Sequence, residues 1–128
     1  LSLGGCSDPD ELSAEQAAAL EERVRARWQT IIDRDFEKTW EFATPNYRGI
    51  FPKHLYANNF SYGVKWELTG VDVLNYDGRA AVASVAARVM TEPAKPTSAA
   101  SKALGPRPVT IREQWILIDG EWWHSVNI

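Results

Sequence analysis

Glu113 and His124 are the two residues of this 128-residue sequence whose types and spacing offer chemistry. They lie on either side of Asp119-Gly120, a dipeptide that supplies the two positive φ angles of a two-residue type I′ hairpin loop. Such a loop fixes the register of its strands. Ile118 then faces Glu121, and counting back sets Leu117 against Trp122, Trp115 against His124, Glu113 against Val126 and Ile111 against Ile128, all on one side of the hairpin. Glu113 and His124 are the polar members of that side, placed diagonally at about 7 Å between backbones and within side-chain reach. A carboxylate that orients an imidazole makes a general acid or base. Trp66, Trp115, Trp122 and Tyr62 are the aromatic candidates to wall a pocket for an apolar ligand, or for an apolar carbonyl substrate. The same pair serves equally well as a buried hydrogen bond that closes polar groups among tryptophans.

Other chemistries lack their residues. Two histidines far apart in sequence and a single cysteine give no metal-ligand spacing, and no serine stands in a nucleophile-elbow pattern. His54, beside Pro52, is expected at the surface, and no cofactor motif occurs. A formal net charge of −3 with scattered signs provides no basic footprint, which argues against nucleic acid as a partner. No run of about 18 apolar residues is present to span a bilayer. The chain is 45% hydrophobic and holds six Trp, enough buried aromatic area for one core, so residues 13–128 are expected to form a single domain.

The elements that must position Glu113 and His124 are an N-terminal helical half and a C-terminal antiparallel sheet. Ser13-Ala14-Glu15-Gln16 is a capping box. From there Leu20, Val24, Trp28 and Ile31/Ile32 make one apolar stripe, while Glu21, Glu22, Arg23, Arg25 and Arg27 mostly hold the solvated side. Asp33-Arg34-Asp35 breaks this helix and caps a short second one, in which Phe36, Trp40 and Ala43 share a side and which Thr44-Pro45 ends. A third short helix is expected from Lys53 to Asn59, contacting the rest through Leu55, Tyr56 and Phe60.

Four β-rich runs follow, Val64 to Tyr76, Arg79 to Met90, Val109 to Ile118 and Glu121 to Ile128. Asp77-Gly78 reads as a second type I′ loop, which would align Val73 with Val82 and Val71 with Ser84 on the apolar face. Trp66 and Leu68 change parity to Val71 and Val73 across Gly70, predicting a β-bulge and a curved sheet. The outward side of the last hairpin, with Arg112, Gln114, Ile116, Trp123, Ser125 and Asn127, is mixed enough to be solvated or covered by a partner. Residues 92–108 read as a long mobile loop.

Leu3-Gly4-Gly5-Cys6 resembles the lipobox of bacterial lipoproteins, in which the Cys is diacylated and becomes the mature N-terminus. The sequence opens on Leu, from which a removed signal peptide is expected, and residues 7–11 read as a flexible spacer. Residues 1–12 are thus expected to be a lipobox remnant and tether. The expected location is the bacterial cell envelope, with the domain facing the periplasm or exterior.

From Ser13 onward the order of helix, short helices and bent antiparallel sheet is similar to the NTF2-like (cystatin-like α+β) superfamily. Its carriers here are Arg27-Trp28, Asp33-Arg34-Asp35-Phe36-Glu37-Lys38, Thr44-Pro45-Asn46-Tyr47-Arg48 and the terminal hairpin with Trp115 and Trp122. The resemblance implies a cone whose helices close over a curved sheet, in proteins that often dimerise through that sheet. It covers both enzymes, such as isomerases, cyclases and dehydratases, and non-catalytic binding domains. The isomerase pattern of a core Asp base with a Tyr oxyanion donor has no residue-by-residue match. The expected function is therefore a non-enzymatic, lipid-anchored domain that binds a small apolar ligand or an envelope protein. The alternative is an acid–base enzyme using Glu113 and His124.

Overall fold

The computed structural model describes residues 10–95 and 98–126. Helix α1 (Ala14–Ile32) starts at the expected capping box: the Ser13 hydroxyl accepts from the Gln16 backbone N–H at 3.1 Å, and the Gln16 side chain accepts from the Ser13 N–H at 3.2 Å. It stops at Asp33, and Arg34 turns the chain with a φ of 60°. Asp35 then caps α2 (Phe36–Trp40) by accepting from the Lys38 N–H. This helix ends at Trp40, short of the expected Ala43 and Thr44-Pro45, and Thr44-Pro45 starts a helix where a stop was expected. Thr44 accepts from the Tyr47 N–H and Pro45 takes the first helical position, where its missing donor costs nothing, so α3 (Pro45–Ile50) begins there. Helix α4 (Lys53–Ala57) buries Tyr56, whereas Leu55, expected as a contact, is exposed.

The fold is α+β, with these helices before a four-stranded open antiparallel sheet in the order β1-β2-β3-β4. The strands are β1 (Val64–Asp77), β2 (Val82–Pro93), β3 (Arg107–Ile118) and β4 (Glu121–His124). Asp119-Gly120 forms the expected two-residue loop with φ of 51° and 82°, and sets Ile118 against Glu121, Leu117 against Trp122 and Trp115 against His124. Ile128 and Asn127 lie outside the described residues.

The Asp77-Gly78 hairpin differs from the expectation. Asp77 pairs with Val82 across a four-residue connection, so Val73 faces Val85 and Val71 faces Ala87. The cause is the Asp77 carboxylate, which accepts from the Arg79 and Ala80 N–H groups at 3.0 and 3.3 Å and draws the chain into a longer turn, with the positive φ placed at Ala81. Consequently Ala83, Val85, Ala87 and Val89 are the buried side of β2, in place of Val82 and Ser84.

The expected bulge is present between Leu68 and Gly70, and a second falls between Val73 and Asn75. Each bends its strand. The run 92–108 is shorter as a loop than expected, because β2 continues to Pro93, β3 begins at Arg107, and a helix α5 (Ala99–Leu104) lies between.

The core forms where the α1 stripe meets the inner sheet face. Leu20, Val24, Trp28 and Ile31 pack with Val71, Val85, Val89, Trp115 and Trp122, each large side chain contributing roughly 1.5–3 kcal/mol by leaving water. Trp122 also pins α1 through polar groups: its indole N–H donates to the Gln16 carbonyl at 3.2 Å, and its carbonyl accepts from Arg23 Nε at 3.0 Å.

On the outward side of β4 the chain covers Trp123 itself. The guanidiniums of Arg23 and Arg48 stand 5.0 and 4.8 Å from its ring centroid, and reach on to Phe42 and Trp40 at 4.6 and 5.7 Å. Arg23, placed by its charge mostly on the wet side, thus packs in part against aromatic rings. Burial lowers its pKa from the ordinary arginine value; nearby Glu121 opposes that shift and Arg48 adds to it.

Candidate functional site

Between α1, the chain after α4 and the inner sheet face lies a cavity of about 270 Å³. Trp28, Ile31, Phe60, Trp66 and Ile111 give it apolar walls, and its polar edge is formed by Arg27, Arg112, Glu113 and His124. Trp28 and Trp66 meet edge to face with centroids 5.7 Å apart, so the indoles brace each other rather than turn freely.

Glu113 is 5% exposed, and a bare carboxylate so placed would be very costly. Three donors satisfy it. Oε2 accepts from Arg27 Nη1 at 3.1 Å and from the Trp28 indole at 2.9 Å, while Oε1 accepts from the Trp115 indole at 2.9 Å. Arg27 is itself 6% exposed, so this is a buried ion pair joining helix to sheet. Tyr56 Oη stands 3.5 Å from Arg27 Nη2, too long to contribute much.

The assignment of Arg27 to the solvated side is therefore corrected. Arg27 follows Leu20 by seven residues, two helical turns, and so points with the apolar stripe toward the sheet. Spacing was the available signal, and charge the misleading one.

His124 is brought to the cavity by being stitched on both sides. It pairs with Trp115 across β4 and β3, its N–H donates to the Phe42 carbonyl at 2.7 Å, and it forms a parallel bridge with Ala43. Its ring meets Trp115 edge to face at 5.5 Å. Burial, helped by the nearby Arg27 charge, lowers its pKa to about 2, so the imidazole is neutral in the folded protein. Its Nδ1 is buried without a partner among the described residues, as is Arg27 Nε. Both expected members of the pair line the cavity, but the carboxylate is held by Arg27 and the two indoles, and none of its hydrogen bonds there goes to His124.

The aromatic candidates divide. Trp66 lines the cavity. Trp115 and Trp122 are 0% and 2% exposed and belong to the packed core. Tyr62 is 62% exposed and rests edge to face on Phe36 outside the cavity. His54 is exposed, and Cys6 lies outside the described residues. Phe60 and Trp28, read from sequence only as packing residues, complete the wall.

A larger depression of about 540 Å³ shares Arg112 and Glu113 with this cavity and is otherwise lined by Leu74, Asn75, Ser84 and Gln114. It lacks aromatic walls and orphaned polar atoms, so it is the weaker candidate. Among the described residues no group of three or more His, Cys, Asp or Glu side chains comes together to hold a metal. No helix there is long and apolar enough to cross a membrane.

No family model matches the sequence, and no curated protein matches it either. Solved structures do share the fold. The chain is similar to RPA3114, a SEC-C motif containing protein from Rhodopseudomonas palustris, at 17% identity and a TM-score of 0.54, covering 86% of this chain and 77% of that one. It is also similar to Aln2 from a Streptomyces species, at 12% identity and a TM-score of 0.53, covering 89% of each chain. At such identities the likeness concerns the fold alone.

A half-buried histidine held neutral leaves a pH signature of known sign. The unfolded chain binds a proton at His124 below pH 6.5, whereas the folded chain resists it down to about pH 2. Stability from this group is full above 6.5 and falls as the pH drops through that window, by up to about 1.4 kcal/mol per pH unit. Urea unfolding at pH 7.0 and 4.5 should show a smaller acid loss for His124→Gln than for the parent protein. Equal losses in the two proteins would contradict the burial of a neutral imidazole.

Proposed function

We propose that this chain is an NTF2-like cone whose cavity binds a small, uncharged, apolar molecule without transforming it. The observation that carries the proposal is the pairing inside the cavity. About 270 Å³ of space is walled by Trp28, Phe60, Trp66 and aliphatic side chains, and the buried Arg27 and Glu113 charges beside it already neutralise each other. An ionic ligand would have to compete for the engaged Arg27 charge, or pair with Arg112 at the exposed rim, where solvent screens the attraction. An apolar one gains the hydrophobic term directly.

The same geometry disfavours acid–base catalysis. A general base works best with a pKa near the working pH, and an imidazole at about 2 is too weak to hold an abstracted proton near neutrality. Both oxygens of the Glu113 carboxylate are already engaged by donors, which disfavours it as a base.

Location belongs to the same proposal and rests on sequence. Leu3-Gly4-Gly5-Cys6, followed by a polar spacer, supports a lipid anchor that holds the domain at a bacterial membrane surface. Mass spectrometry of protein expressed with its own leader should find a diacylated Cys6, and an unmodified Cys6 in membrane-processed protein would remove the anchor from the account.

Naphthalene, an uncharged two-ring probe, tests the cavity. NMR titration should show saturable binding with a Kd below about 100 µM, with shifts concentrated at Trp66, Phe60 and Ile111. Ile111→Trp fills the space from its half-buried rim and should weaken binding about tenfold or more while leaving the fold intact. Unchanged affinity in that variant would place the probe elsewhere and overturn the proposal.

A further inference from the structure

We infer that the corner between α3 and α4 is a docking surface for an anionic phospholipid bilayer, entered by Ile50 and Leu55 and steered by Lys53. The inference goes beyond the lipid anchor proposed above and does not depend on it, because the corner carries its own apolar and cationic groups.

The inner side of these two helices is used by the fold. Tyr47 stacks on Phe51 with ring centroids 4.7 Å apart and meets Tyr56 edge to face at 5.9 Å. The Phe51 carbonyl accepts from the Trp40 indole at 2.7 Å, which fixes the corner to α2. Within the corner the Phe51 N–H donates to the Tyr47 carbonyl at 2.9 Å and the Leu55 N–H to the Pro52 carbonyl at 3.1 Å. The outer side has no such use. Ile50 is 73% exposed and Leu55 51% exposed, one on each side of Phe51-Pro52, and Gly49, Pro52, Lys53 and His54 around them are exposed as well. Two aliphatic side chains held in water on a braced corner gain from an apolar phase that the fold does not offer.

Charge selects the phase. The chain has 17 Asp and Glu residues, yet none stands between Glu41 and Glu67, a run that holds Arg48, Lys53 and Lys65. Lys53 makes no ion pair among the described residues. The adjoining α2 and its cap bring Glu37 and Glu41 together with Lys38, and Arg48 lies over the Trp40 ring at 5.7 Å. That flank therefore carries no excess of either sign, and Lys53 makes the corner positive. Exposed aliphatic tips beside an unpaired ammonium, with no carboxylate among them, suit a lipid surface: the tips enter the acyl boundary while the ammonium meets phosphate. The long stem of Lys53 lets its charge stay at headgroup level as the tips go deeper. Acids elsewhere on a chain of net charge −3 act only weakly on this contact, since the Debye length is about 10 Å at 0.1 M salt. A domain already tethered to the bilayer would need only weak affinity here, because the tether raises its local concentration.

The test uses the full chain made without a leader, so that no acyl chain is attached. It is co-sedimented with vesicles of phosphatidylcholine alone or of equal parts phosphatidylcholine and phosphatidylglycerol in 0.1 M salt. Partition onto the anionic vesicles should exceed that onto the neutral ones about fivefold or more, and 0.5 M salt should remove most of the difference. Ile50→Glu combined with Leu55→Glu should lower partition onto anionic vesicles about tenfold or more, and Lys53→Glu alone about fivefold. Leu74→Glu, at an exposed apolar position of β1, should change it less than about twofold. All four positions are exposed, and circular dichroism matching the parent protein ties each loss to the surface. Absence of binding to anionic vesicles, binding that survives the corner substitutions, or an equal loss from Leu74→Glu would overturn the inference and leave the corner to a protein partner. The anchor would stand in each case, since it is read from the mass of Cys6.

Discussion

One carboxylate inside the core sets the terms for the rest of the molecule. Glu113 sits on the inner face of β3, and its charge can remain there only while donors surround it. Two of the three, Arg27 and Trp28, come from adjacent positions on α1, and the third, Trp115, comes from the next inward position on Glu113's own strand. The helix is therefore fixed to the sheet in rotation as well as in distance: turning α1 by one residue would withdraw the guanidinium and the Trp28 indole together. A buried ion pair of this kind adds little to stability compared with an apolar substitute, whereas removing one partner leaves an uncompensated buried charge. Apolar contacts among Leu20, Val24, Ile31 and the sheet supply the bulk of the driving force and tolerate many alignments.

The same node shapes the chemistry of the cavity. It engages the Arg27 charge and both oxygens of the Glu113 carboxylate. By leaving Arg27 beside His124, it adds electrostatic pressure to burial and keeps the imidazole neutral. The cavity is left with aromatic walls, no net charge in its buried edge and a few hydrogen-bonding atoms in want of a partner. That combination suits recognition of a neutral molecule more than it suits proton transfer.

Much of the architecture was legible in the sequence, and the failures have local causes. Asp119-Gly120 and Asp77-Gly78 are the same dipeptide between strands, yet only the first makes the two-residue loop. In the second, the Asp77 side chain takes two backbone donors and lengthens the turn, shifting the register of β2. The bulge before Gly70 showed as a change of parity. The bulge at Leu74 did not, since Val73 and Leu74 are both apolar and both exposed, so alternation carried no signal there. Thr44-Pro45 read as a helix stop, but α2 has already ended at Trp40 and the same residues cap and start α3. At the site, sequence brought Glu113 and His124 to one side of one hairpin. It missed Arg27, because a charged residue was assigned to water against its helical spacing, and no sequence pattern indicated that Arg27, Trp28 and Trp115 would claim the carboxylate.

The central claim is that one carboxylate ties α1 to the sheet through Arg27 and the Trp28 indole, with the Trp115 indole of its own strand as the third donor. Hydrogen exchange of those two indole N–H groups, followed by NMR in the parent protein and in Glu113→Gln, tests it most directly. Removing the negative charge leaves Arg27 buried without compensation, at a cost of about 3 kcal/mol or more, so both indoles should exchange faster together, by about a hundredfold or more. Protection at Trp28 and Trp115 that is unchanged by the substitution would show that helix and sheet hold together without the carboxylate, and would contradict the account.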